Sequence, residues 1–86
     1  MSTWRSLIRE AMESREEDIN DIVSCTLSEK QLDVKFASGY GLSKGKPFTL
    51  WTSKRVYFPI VYDGMEWVGS VPRNPSKEAT KHQGGE

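Results

Sequence analysis

Apolar side chains at Trp4, Leu7, Ile8, Ala11 and Met12 recur at the spacing of one helix face, with Arg5, Arg9, Glu10 and Glu13 turned outward. The pattern predicts a helix from about Thr3 to Ser14, capped by Ser2 or Thr3. An acidic run follows, Glu16, Glu17, Asp18 and Asp21, broken only by Ile19 and Asn20. It reads as a solvated face running into a loop, with a docking patch for a basic partner as the alternative. From Asp21 the period changes to alternation and β-branched residues. Ile22 to Leu27 and Leu32 to Phe36 therefore predict a hairpin joined by Ser28-Glu29-Lys30-Gln31.

Gly39 to Pro47 holds three glycines and a proline and predicts a loop. Its GxG spacing lacks the following helix that a phosphate-binding turn uses. Phe48 to Thr52, Val56 to Tyr62 and Met65 to Val71 then read as a three-stranded meander. Asp63-Gly64 suits a two-residue type I′ loop. Counting outward from it sets Tyr62 opposite Met65, Ile60 opposite Trp67 and Phe58 opposite Gly69. One face collects Val56, Phe58, Ile60, Tyr62, Met65, Trp67 and Val71, and this face is expected to meet the helix. The reverse face carries Tyr57, Pro59, Val61, Glu66 and Val68. After Pro75 the only apolar side chain is Ala79, so residues 76–86 are expected to form a disordered polar tail on a single domain spanning 1–75.

At 86 residues and 9.8 kDa there is room for one small domain and for no second one. Twelve basic and twelve acidic side chains cancel, which argues against a protein that coats nucleic acid or an anionic membrane. Residues 1–43 carry five basic and eight acidic groups and residues 44–86 seven and four, so the chain is charge-separated though neutral. Charge interrupts every apolar run, so neither a signal peptide nor a membrane span is expected. One cysteine makes no internal disulfide and points to a reducing cytoplasm.

The candidate chemistry is sparse. Metal sites with His and Cys ligands need about four donors at set spacings, and Cys25 and His82 are the only residues of those types. A catalytic Cys-His pair is equally unsupported, because His82 lies in the tail and Cys25 in mid-strand, and no cofactor motif is present. The expectation is a non-enzymatic protein. One helix covers one face of a sheet, yet both faces of the hairpin are apolar. Tyr57, Pro59, Val61 and Val68 are thus left over as a surface for a protein partner or a second copy of the chain, unless the sheet curls into a barrel and buries both faces itself. A weaker alternative is an anion or nucleic-acid site, with Lys54, Arg55 and Arg73 at one end of the sheet and Trp51 to stack.

The blocks GYG, PFTLWT, RVYFP, YDG and VPRNP between Gly39 and Pro75 resemble small uncharacterised accessory proteins of tailed phages and prophages of enteric bacteria. The resemblance covers under half of the chain. It implies work in the bacterial cytoplasm by docking on a host protein. Separately, EWVGSVPRNP is similar to the tryptophan-to-VPxNY segment of SH3 domains, which implies a peptide groove lined by Trp67, Pro72 and Asn74. The chain departs from that pattern in lacking an ALYDY-type block and in placing Pro75 at the tyrosine position. The fold these readings converge on is α+β: one N-terminal helix packed on a curved antiparallel sheet of four to five strands.

Overall fold

The computed structural model describes residues 3–35, 46–62 and 65–83. Helix α1 spans Trp4–Ser14, and the Thr3 hydroxyl accepts the Ser6 amide as its N-cap. A short 3-10 turn over Ile19–Asp21 leads into β1 (Ile22–Cys25), and α2 (Glu29–Leu32) follows. Strands β2 (Leu50–Thr52), β3 (Arg55–Tyr62) and β4 (Met65–Pro72) complete an antiparallel sheet in the order β1-β2-β3-β4. The ends of the sheet are not joined, so the described strands form an open sheet and not a barrel. The architecture is the expected α+β, with four strands.

The β3/β4 register is the expected one: Tyr62 pairs with Met65, Ile60 with Trp67 and Phe58 with Gly69. The Asp63-Gly64 turn lies outside the described residues, as does the predicted Gly39 to Pro47 loop except for Lys46 and Pro47, which carry no helix or strand. Pro59 falls beyond the stretch of β3 that β2 pairs with, so the ladder loses nothing to its missing amide hydrogen on that side.

The expected hairpin over 22–36 does not form. β1 pairs with β2 instead, Cys25 opposite Leu50 and Ser24 opposite Trp51. The four residues read as its turn are a capping box. Ser28 Oγ accepts the Gln31 amide at 3.2 Å and Gln31 Oε1 accepts the Ser28 amide at 2.8 Å, and these local bonds close α2 where alternation suggested extended chain. Leu32 ends buried in the core and Val34 is exposed. In β1 a bulge between Ile22 and Ser24 absorbs one residue, so that Ile22 and Cys25 both pack against the core while Val23 turns out to solvent.

The helix covers the opposite face of the hairpin from the one expected. Trp4, Ile8 and Met12 pack with Leu27, Leu32, Phe48, Leu50, Tyr57 and Val68. The Trp4 and Phe48 rings meet edge-on at 4.9 Å, and the Trp4 indole donates to the Lys46 carbonyl at 2.9 Å. Tyr57 and Val68, assigned above to a partner surface, are core residues at 0% and 7% exposure; Pro59 is half-buried on the same face, and Val61 is exposed at its edge. The reason is polar. This face also carries Thr52, Arg55, Glu66 and Ser70, all buried, and among the described residues no buried side-chain nitrogen or oxygen lacks a hydrogen-bond partner. Glu17, read as part of a solvated acidic run, is buried and supplies one of those partners.

Candidate functional site: the Arg55 cleft and the outer sheet face

Two surfaces carry the chemistry, and the first is a cleft at the end of the sheet beside the C-terminus of α1. Its floor is built by the turn from β2 to β3. Thr52 Oγ1 accepts the backbone amides of Lys54 and Arg55 at 3.1 and 2.9 Å, and its own proton faces Glu17 Oε1 and the Arg55 carbonyl, each at 3.3 Å. Glu17 is delivered by the end of the helix. Glu16 takes a left-handed conformation (φ 61°), its amide donates to the Glu13 carbonyl, and the Glu17 amide donates to the Met12 carbonyl at 2.8 Å. That reversal aims the Glu17 carboxylate inward, where Oε1 accepts the Tyr57 hydroxyl at 2.5 Å. Burial, reinforced by the hydrogen bond to Glu17 and its charge, pushes the Tyr57 phenol well above its ordinary range.

Arg55 forms the wall. Its Nε donates to Ser70 Oγ at 2.8 Å, and its two terminal nitrogens meet the Glu78 carboxylate at 2.9 and 3.0 Å. Arg15 Nη1 stands 3.8 Å from the same carboxylate. The hydrogen bond from Arg55, joined by the charges of Arg55 and Arg15, holds the Glu78 carboxyl below the usual range. A void of about 550 Å³ opens beside this pair, lined in part by Arg15, Glu16, Lys54, Asn74 and Pro75.

The second surface is the face of the sheet turned away from α1. It carries Trp51, Val56, Phe58, Trp67 and Val71, all half-buried, together with the exposed Met65. No described helix or strand lies over it. Gly69 sits at its centre, where a Cβ would fall 2.1 Å from Ile60 Cδ1 and 2.6 Å from Gln83 Oε1. A larger residue there would have to push aside the Ile60 and Gln83 side chains, and the last described residue of the C-terminal extension reaches this face. Residues 73–83 carry no helix or strand and are exposed throughout.

Lys54, Arg55 and Arg73 do lie together at one end of the sheet, where the Arg73 amide donates to the Lys54 carbonyl at 2.8 Å, but two of the three side chains are engaged. Arg55 is engaged by Glu78, and Arg73 turns back to donate to the Thr52 carbonyl at 2.9 Å. Trp51 lies on the outer face, and Lys54 is exposed at the cleft, as is Arg15. Trp67 and Pro72 belong to opposite faces of β4, since Trp67 pairs with Ile60 and Pro72 with Arg55, so they do not line one groove with Asn74. Cys25 packs against the core and His82 is exposed on the extension. Among the described residues no group of three His, Cys, Asp or Glu side chains is placed to hold a metal ion, and no helix is long and apolar enough to cross a membrane. The Arg55-Glu78 pair and the buried Glu17 escaped the sequence reading. The one signal for either was the position of Glu17 just after the helix stripe.

The fold and these surfaces define a small open-faced α+β domain: a sheet covered by a helix on one side and apolar on the other. Comparison of the chain with protein-family models, with curated proteins and with solved structures returned no match.

Proposed function

We propose that this chain is a non-enzymatic protein-binding module that docks through the outer face of its sheet. The observation that supports the reading is the cluster of Trp51, Val56, Phe58, Trp67 and Val71, half-buried on a face that no described helix or strand covers. Aromatic side chains of this kind hold a large share of the binding energy at protein interfaces. The docking face is thus the reverse of the Tyr57 side that the chain pattern alone suggested. The resemblance of residues 39–75 to phage and prophage accessory proteins makes the partner a protein of the bacterial cytoplasm, with a second copy of the chain as the competing occupant.

The test uses the cross-strand pair Val56 and Val71. Changing them to Lys and Glu replaces an apolar contact with an opposite-charge pair that a sheet accommodates. The double variant is expected to melt near the wild type, to stay monomeric in sedimentation, and to lose a bacterial protein that the wild type captures specifically. Identical capture by both chains sinks the proposal.

A further inference from the structure

The Arg55 guanidinium is oriented by the sheet and not by its ion-pair partner. Arg55 is 8% exposed; its Nε is held by Ser70 Oγ, one terminal nitrogen lies 3.4 Å from the Ser70 carbonyl, and its amide is fixed by Thr52. The remaining donors form a fork that opens on the cleft. Glu78 fills this fork with both oxygens, with Arg15 behind it, yet it arrives on a segment without helix or strand. The hydrogen bond next to it is local, from the Glu78 amide to Ser76 Oγ at 3.1 Å.

We propose that the Arg55 fork, backed by Arg15, is a carboxylate-recognition site that Glu78 fills in the free protein and that takes a glutamate or aspartate side chain of an acidic peptide segment in exchange. Planar two-point geometry selects a carboxylate. A nearly buried guanidinium left without a counter-charge is costly, so the fork favours a bound carboxylate and exchange trades one carboxylate for another. Little ordered structure is lost when the segment lets go. Beyond Glu78 the cleft continues past Lys54 and Asn74, leaving space for residues that flank an incoming acid. Glu16 at the rim tempers the positive charge, which suits one carboxylate better than a polyphosphate backbone. The residues that line it are distinct from those of the outer face.

The experiment titrates the full-length wild type and its Glu78→Gln variant with an acetylated, amidated Ser-Lys-Glu-Ala peptide, following the Arg55 Nε-H and Ser70 amide resonances. The variant is expected to show saturable shifts. The wild type should bind about fivefold more weakly, because a tethered carboxylate competes at an effective concentration on the order of millimolar. The matching peptide with Gln in place of Glu should move neither chain, and Arg15→Ala in the Glu78→Gln background should weaken binding. Unmoved Arg55 and Ser70 signals in the variant overturn the site. Equal affinity of wild type and variant overturns the role of Glu78 as resident ligand, and equal shifts with sodium sulfate overturn the selection of a carboxylate.

Discussion

Replacing Tyr57 with Phe removes one oxygen from the centre of the protein and leaves the ring where it is. Tyr57 is fully buried, Glu17 is 7% exposed, and the 2.5 Å bond between them joins the end of α1 to the middle of the sheet. Without the hydroxyl, the carboxylate keeps, among the described residues, Thr52 Oγ1 at 3.3 Å. A hydrogen bond to a charged group contributes about 1.5 to 3 kcal/mol, and a buried acceptor left short of partners costs at least as much. A domain of this size holds roughly 4 to 13 kcal/mol in total. At about 4 to 8 °C per kcal/mol, the variant should melt some ten degrees or more below the wild type. Urea unfolding at neutral pH measures the loss directly, and an unchanged slope would show that the cooperative unit is intact. Glu17→Gln provides the control: with the charge gone, the double variant should lose less than the two single losses added together. Alkaline pH gives a second reading. The phenol is raised in the folded chain, so its stabilisation is fully present below the ordinary tyrosine value of 10.0 and is lost as pH climbs above it. Tyr57→Phe should flatten that alkaline decline. A melting temperature within about 2 °C of wild type, or strictly additive losses, would refute the idea that Tyr57 and Glu17 act as a pair.

Glu16→Gly should raise stability by about 1 kcal/mol, since the left-handed conformation at φ 61° strains a side chain and suits glycine; an unchanged or lower urea midpoint counts against the helix end described above. The docking of Glu78 on Arg55 has a defined acid limit. Its carboxyl is lowered from 4.5, so the contact is complete above that value and is lost as pH falls through the lowered one. Backbone relaxation of residues 76–83 should therefore stay constant from neutrality to about pH 5 and rise only on further acidification. Release already at pH 6 would mean that the ion pair does not hold the segment.

Much of the architecture was legible because its signals are local. The helix stripe from Trp4 to Met12 and the Asp63-Gly64 loop each need only neighbouring residues, and together they define α1 and the pairing of β3 with β4. The choice of face was not legible. Both sides of the hairpin are apolar, and the polar side faces inward because Glu17, forty positions before Tyr57, satisfies it. Pairing of β1 with β2, from Cys25 with Leu50 to Ile22 with Thr52, also joins distant stretches and leaves no mark in either segment. α2, by contrast, could have been read, since Ser28 followed by Gln31 three residues later is a helix-start signature that the alternation of Leu32, Val34 and Phe36 overshadowed. At the candidate site, counting cations brought Lys54, Arg55 and Arg73 together but said nothing of which already had partners. Arg55 is spoken for by an acid in the segment that composition treated as inert.

Strand β4 forms one border of the described sheet and runs for eight residues, long enough to offer a foreign strand a continuous row of backbone donors and acceptors. Such borders seed fibrils when both faces of the strand are greasy and uniform. Glu66 interrupts that uniformity, because its side chain points inward and is buried. A chain adding to β4 in register would extend the sheet next to a carboxylate buried at its border. A slip by one residue would turn Glu66 outward and drive Trp67 into the space now filled by Val68. Pro72 closes the strand without an amide hydrogen to give. The acid that makes the inner face look unsuited to a core thus also breaks the uniform apolar border on which open-ended stacking depends.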